Sequence, residues 1–386
     1  MKISFIVLSL GCDIFSPPGS SITGGQAVFT KNLIYELVKK YDTTVVSLRF
    51  GNNCESLNHE SYPFHIIEIP LCKGEYNNES LWDNFSEIEH KCLKSISTSK
   101  FNSSYVISIY WLSGLLITRN KHLNPKIWMH SFASYATQKS TEYNNTSYLD
   151  IRLKNEQIIG QKVDYLWATN QYEYNLLMEE YSFLKSKIIV IPRAVNQSSF
   201  VNLPIIDKYE WDVIFFGRLD KRKGIFDIPI MLQQITKRNV SFLVLGGTQN
   251  EIDNYKKWFE FRYPDLIRHH NIVFHNAVPQ QILVKYILNS KLVFLPSHSE
   301  TFANAVNESL ILGRPVVTTY AGGIPEFHMH YDNCFSYDYR SPDTATELIE
   351  HVLDNHPKLI NKPKIPHCYT WKNAMEIFDD TIKKHI

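Results

Sequence analysis

The most constraining feature of this chain is a repeated alternation. Short runs of β-branched and aliphatic residues recur along it, and each is followed by a segment whose apolar positions fall at helical spacing. In the first half the runs cover residues 3–8, 44–48, 105–109, 127–130, 165–169 and 188–191. In the second half they cover residues 213–216, 242–245, 272–274, 292–295 and 316–318. Near-continuous apolar runs are expected where both faces of a strand are covered, as in the parallel strands of βα units. The pattern predicts an α/β chain with two doubly wound parallel-sheet domains. A length of 386 residues fits that number better than a single core. No internal repeat or low-complexity segment interrupts the alternation.

A boundary is expected across residues 196–210, where Asn196-Gln197-Ser198-Ser199-Phe200 and Pro204 break the pattern before a fresh strand at Trp211. This assigns residues 1–204 to an N-terminal domain and 205–370 to a C-terminal one. Residues 371–386 carry Ala374, Ile377, Phe378 and Ile382 at helical spacing and should form an amphipathic helix. That helix need not pack on the domain that precedes it.

Charge narrows the class of partner. With 40 Lys and Arg against 39 Asp and Glu, the chain lacks the cationic excess of a nucleic-acid or acidic-membrane binder, although a local basic site remains open. Lys91, Lys94 and Lys100 are interspersed with acids, so they read as a solvated face, and membrane contact is at most peripheral. Cys12, Cys54, Cys72, Cys92, Cys334 and Cys368 form no CxxC pair and have no His at zinc-ligand spacing; they read as isolated thiols of a reducing compartment. The start, through Leu10-Gly11-Cys12, reads as a buried first strand and a Gly turn rather than a signal peptide. With no apolar run approaching the ~20 residues of a membrane span, the expectation is a soluble, cytoplasmic protein.

Four segments could carry chemistry. Thr23-Gly24-Gly25-Gln26 follows the first strand and opens a helix with Ala27, Val28, Ile34, Leu37 and Val38 on one face. Bare backbone amides there suit an anion, although the turn lacks both common phosphate-loop spacings and a purely structural turn is the alternative. Phe215-Phe216-Gly217-Arg218-Leu219-Asp220-Lys221-Arg222-Lys223-Gly224 places Arg218 and Lys223 at the C-terminal edge of a sheet, where open α/β sheets bind ligands. A guanidinium fork and an ammonium bracketed by glycines suit a diphosphate; a solvated basic turn is the other reading.

The third segment runs from Pro296 through Ser297, His298, Ser299, Glu300, Thr301, Phe302, Ala303, Asn304, Ala305, Val306 and Asn307 to Glu308. It puts two carboxylates around a helix start, and carboxylates accept sugar hydroxyls. A cap at Glu300 and a solvated Glu308 would be the plainer outcome. Fourth, Ala321-Gly322-Gly323-Ile324-Pro325-Glu326 lies at the same sheet edge, where glycines admit close approach of a ligand. In the first domain His130 ends a strand at a comparable edge, where a lone histidine is more often structural than functional.

Taken together and in this order, with Ile191-Pro192-Arg193-Ala194-Val195-Asn196 between them, these segments resemble the retaining GT-B glycosyltransferases, specifically the GT4 family that uses nucleotide sugars. The resemblance covers nearly the whole chain. It implies two Rossmann-like domains with a cleft between them. The N-terminal domain would bind the acceptor and the C-terminal domain the nucleotide-sugar donor, and the terminal helix would cross back to the N-terminal domain. Arg218 and Lys223 would hold the diphosphate, Glu308 the ribose and Glu300 the transferred sugar. The amides around Thr301, Phe302, Ala303 and Asn304 would support sugar and phosphate. Gly24 and Gly25 would close over the phosphates and His130 would approach the sugar.

No cofactor and no metal are implied; the partners are the donor, with UDP as its expected nucleotide, and a sugar, glycan or small-molecule hydroxyl acceptor. The family often carries glycine where Thr301 and Ala303 stand, and Asn-Gly where Arg193-Ala194 stands. A side chain at 301 or 303 narrows the room beside the donor. A nucleotide-sugar-binding subunit without turnover and a sugar epimerase are alternatives on the same fold. The joint presence of Arg218, Lys223, Glu300 and Glu308 favours the transferase over the silent subunit.

Overall fold

A computed structural model of the chain describes residues 3–16, 25–50, 57–71, 78–139, 146–200, 203 and 208–385. The chain divides into two compact units: Met1–Arg193 together with Ala374–Ile386, and Ala194–Asn373.

The first unit is built on a parallel sheet of β1 (Ser4–Ser9), β2 (Asp42–Phe50), β3 (His65–Leu71), β4 (Tyr105–Ile109), β5 (Ile127–Ser131), β6 (Tyr165–Ala168) and β7 (Ile188–Val190). Its order is β3-β2-β1-β4-β5-β6-β7, and every neighbouring pair is parallel. The second unit holds β8 (Trp211–Phe216), β9 (Ser241–Leu245), β10 (Asn271–His275), β11 (Ser290–Leu295), β12 (Val316–Thr319) and β13 (Cys334–Tyr337). These strands follow the order β10-β9-β8-β11-β12-β13, again all parallel. The two doubly wound parallel sheets expected from the alternation are therefore present.

Each central strand is apolar because each is covered on both faces. Phe5, Val7 and Leu8 of β1 and Val213, Ile214 and Phe215 of β8 are buried. Two strands, β3 and β13, escape the sequence pattern, and both lie at a sheet edge. The other two edge strands, β7 and β10, do carry apolar runs, so the difference lies in the local residues. In β3 the burial alternates around an exposed His65 and Pro70, and β13 is only Cys334-Phe335-Ser336-Tyr337.

Helix Gly25–Leu37 turns Ala27, Phe29, Thr30, Leu33, Ile34 and Leu37 inward. Val28, expected on that face, is 50% exposed, because Thr30 and Leu33 complete the stripe instead. The last helix, Trp371–Lys383, buries Ala374, Phe378 and Ile382. Phe378 packs against Phe5 and Trp167, and the Tyr41 hydroxyl donates to Asp379 at 2.7 Å, so residues 374 onward belong with the first unit.

The described cysteines Cys12, Cys92, Cys334 and Cys368 are free thiols. No helix among the described residues is long and apolar enough to cross a membrane.

Candidate functional site

In each sheet the strand order reverses at one place, between β1 and β4 in the first unit and between β8 and β11 in the second. The crevice beyond the strand ends at such a reversal is where open α/β sheets take their ligands. In the second unit the loops leaving β8 and β11 are the two charged segments singled out in the sequence.

The first of these loops starts as Gly217 donates its amide to Leu245 O at 3.0 Å. Asp220 then organises it. Its carboxylate caps the short turn Lys221–Lys223 by accepting the Lys223 amide at 3.1 Å, and it lies 3.3 Å from Arg218 and 3.7 Å from Arg222. The Arg218 side chain stays 56% exposed, and one weak surface pair leaves its guanidinium available to an anion. Lys223 turns the other way and forms an ion pair with Glu300 of the second loop, both side chains being mostly buried.

Further contacts hold these loops in register. Gly224 has φ +66°, and a Cβ there would sit 1.9 Å from Pro296 O, so only glycine permits the approach. The His298 amide donates to Arg222 O at 2.6 Å, while its imidazole pairs with Asp227 and stacks 4.6 Å from the Tyr339 ring. Gly322, at φ +58°, presses against the Glu300 carbonyl, where a Cβ would come within 1.5 Å. The Gly-Gly loop after β12 thus backs the carboxylate loop.

Beyond Glu300, Phe302 is buried edge-on against Phe327 and Tyr369. Ala303 adopts the left-handed conformation, φ +63° and ψ +61°, to start helix Asn304–Ile311. That geometry explains why glycine suits the position: for an L side chain, holding it costs of the order of 1 kcal/mol. The start of this helix, with its positive dipole end, lies in sequence between the two acids. Glu308 is half-buried one turn into the helix, and burial raises its pKa; the Gln280 amide, donating to Oε2 at 3.0 Å, partly counters the rise.

The first unit treats its predicted residues differently. Gly24 lies outside the described residues, and Gly25 opens helix Gly25–Leu37 on an exposed turn. His130 does not stand at an accessible edge: its side chain is 0% exposed, against Phe132 and within reach of Gly114. Trp128 Nε1 donates to Ser108 Oγ at 2.6 Å, and the same hydroxyl lies 2.7 Å from His130 Nδ1 and 3.5 Å from Met129 O. His130 Nε2 has no hydrogen-bond partner among the described residues, and burial drives the pKa of the imidazole down to about 3.

Close by, Tyr110 holds a positive φ of 75° at the end of β4. The Arg152 guanidinium lies 5.3 Å from the Tyr110 ring and pairs with Glu156 at 2.7 Å, with both side chains 0% exposed. Tyr181 and the Ala136 amide also donate to Glu156. Arg193, unexplained by sequence, lies 4.9 Å over the Phe29 ring and favours the ionised form of buried Glu173.

The fold therefore joins Lys223 to Glu300, presents Arg218 on the same loop as Lys223, and couples Glu308 to Gln280. Sequence reasoning does not pick out Asp220, Asp227, His298 or Gln280 as site residues. Asp220 and His298 lie inside the charged segments; nothing local marks Asp227 or Gln280. Among the described residues no three or more His, Cys, Asp or Glu side chains gather as metal ligands.

Residues 202–364 match the family described as glycosyl transferases group 1. The chain is 21% identical to the D-inositol 3-phosphate glycosyltransferase of Corynebacterium diphtheriae, over 97% of this chain and 93% of that protein. In structure it is similar to sucrose-phosphate synthase from Thermosynechococcus elongatus, with a TM-score of 0.75 at 16% identity over 99% of both chains. It is also similar to Anabaena HepE in complex with UDP-glucose, with a TM-score of 0.69 at 13% identity over 99% of both chains.

Proposed function

We propose that this chain, a glycosyltransferase of the GT-B fold, moves a hexose from a nucleotide-diphosphate sugar, with UDP as the nucleotide, to an acceptor hydroxyl with retention of configuration. The observation that carries this reading is the pairing of Lys223 with Glu300 at the reversal of the second sheet, on the turn that also presents Arg218. A cation for the diphosphate and a carboxylate for the sugar stand side by side, as the two halves of a nucleotide sugar require. The UDP-glucose complex of the structurally similar HepE supports UDP. The names of the similar D-inositol 3-phosphate glycosyltransferase and sucrose-phosphate synthase support a polyol or sugar acceptor, which we assign to the first unit.

In this reading Arg218 and Lys223 hold the diphosphate, Glu308 accepts the ribose hydroxyls and Glu300 those of the transferred sugar. The backbone from Thr301 through Phe302 and Ala303 to Asn304 lines the positions between them. As the anomeric carbon–oxygen bond breaks, positive charge grows on the sugar ring and negative charge on the departing diphosphate. The two cations stabilise the latter, which is where preorganised charge gains most. The acceptor oxygen bonds to the anomeric carbon on the face the nucleotide leaves, and its proton passes to the leaving phosphate oxygen. No protein base is assigned. His130 is given no part because its ring is enclosed, and the part of Gly24 and Gly25 rests on the family resemblance alone. Arg218 and Lys223 supply the charge for which other transferases use a divalent ion, so turnover should persist in chelator.

The test is a donor panel of UDP- and GDP-sugars against a broad acceptor panel, with products identified by mass spectrometry and their anomeric configuration by NMR. Nucleotide release coupled to an α-configured product from an α-configured donor is expected, with or without EDTA. Binding without transfer would leave a silent binding subunit, and conversion of the donor sugar without acceptor would mark an epimerase. Within the reading, Glu308→Gln should weaken free nucleotide, whereas Glu300→Gln should impair sugar transfer while leaving free nucleotide binding nearly intact.

A further inference from the structure

We infer that Gln280 is a positioning residue for the nucleotide: its side-chain amide fixes one oxygen of Glu308, so that the remaining lone pairs of the carboxylate are presented to the ribose hydroxyls. This rests on the assignment of Glu308 to the ribose made above.

Gln280 is well placed to hold a neighbour still. It is the first residue of helix Gln280–Leu288, whose start is set by Pro279 and whose Val284, Ile287 and Leu288 are buried in the core. The Ile282 and Leu283 amides both bond to Pro279 O, at 2.9 and 3.0 Å, so the first turn is closed around the residue before Gln280. The segment leading into it is tied down as well, by the Ala277 amide to Gly247 O at 2.9 Å. From this anchored position Nε2 reaches across to Glu308 Oε2 at 3.0 Å, linking two helices 28 residues apart in sequence.

Glu308 needs such a partner. It is half-buried, and its own helix offers it no charge partner: burial and the Gln280 amide are the two influences on its ionisation, and no charged side chain among the described residues contributes. A carboxylate in that setting is oriented by the amide donor, which also opposes the rise in pKa that burial causes. An amide suits the task because it donates to the carboxylate without neutralising it. A lysine in its place would form an ion pair and compete with the ribose for the same lone pairs, whereas a second carboxylate would repel it.

That last contrast supplies the test. UDP binding, with GDP in parallel, is measured by calorimetry on the full chain from about pH 5 to pH 8 for wild type, Glu308→Gln, Gln280→Ala and Gln280→Glu. Gln280→Ala should weaken the nucleotide about tenfold, the size of one hydrogen bond to a charged group. Gln280→Glu is nearly isosteric and should share one proton with Glu308. At the acid end its hydroxyl replaces the amide and affinity should match wild type; towards the alkaline end two carboxylates face each other and affinity should fall more than tenfold. A purely structural role would lower the melting temperature without creating this new pH dependence.

Wild-type affinity at every pH in both Gln280 variants, alongside a weakened Glu308→Gln, would overturn the inference and leave the ribose assignment standing. Unchanged binding in Glu308→Gln would overturn both. A wild-type protein that binds neither nucleotide would overturn the donor reading itself.

Discussion

The two sheet reversals are built from the same topology and use charge in opposite ways. At the first, Arg152 and Glu156 are completely enclosed, and their bonds go to each other, to Ser134, to Tyr181 and to the Ala136 amide. At the second, Arg218 is exposed, and Lys223 and Glu300 keep partial access to solvent. Fully enclosed charges must be paired because desolvation is otherwise prohibitive, so the first reversal is a structural brace. Partly solvated charges can exchange partners at modest cost, so the second can exchange one for a ligand. The strained residues follow the same division. Tyr110 is held at positive φ by a ring packed against Gly11 and Arg152, whereas Ala303 is held there at the start of the helix that separates the two acids.

The contrast can be broken most directly at the brace. Arg152→Ala leaves Glu156 buried without its counter-charge and should cost about 3–5 kcal/mol of stability, measured by urea unfolding. A loss under about 1 kcal/mol would show that the first reversal is no brace. Lys223→Ala should behave in the reverse way. It should lower kcat/KM by about a hundredfold, as removal of one charge-stabilising donor does, with little change in the unfolding midpoint. Near-wild-type turnover in both Lys223→Ala and Arg218→Ala would remove the diphosphate assignment.

His130 sharpens the comparison through pH. Its folded pKa, about 3, lies below the unfolded value of about 6.5, so between these values the unfolded chain binds more protons. The neutral ring's contribution is therefore complete above about pH 6.5 and is lost as pH falls, at about 1.4 kcal/mol per unit for this group. His130→Asn should flatten the acid side of the stability profile by that slope. An unchanged slope would mean that the ring is not enclosed as described. The smallest effect belongs to Ala303→Gly, which should relieve the left-handed strain and stabilise the chain by about 0.5–1 kcal/mol, read as a higher melting temperature. A fall in melting temperature would show that the methyl group is worth more to packing than the strain costs.

Much of this architecture is legible in the amino-acid sequence. The inner strands, both sheets and the charged loops follow from apolar runs, their spacing and the residues that end them. The edge strands β3 and β13 are not legible there, since Glu68 and Pro70 interrupt the apolar run of the first and the second is only Cys334-Phe335-Ser336-Tyr337. Lys223 and Glu300 each stand out as chemistry-bearing residues, but they are separated by 77 positions, and no local pattern says that they touch. His130 shows the reverse failure: its place at a strand end suggests access, and only the packing of Phe132 and the approach of Gly114 decide otherwise.

What the sequence determined by itself is local and periodic: which segments become strands and helices, that the sheets are parallel and doubly wound, and which loops carry cations, acids and glycines. Those properties depend on neighbours in the chain, which the sequence states outright. What the tertiary structure decided is pairing and solvation: that Lys223 meets Glu300, that Gln280 reaches Glu308, that Arg152 is sealed while Arg218 is open, and that His130 is enclosed. Each of these depends on atoms brought together by the winding of the sheets from distant parts of the chain, and the free energy of a charge is set by such neighbours and by access to water, not by its position in the sequence.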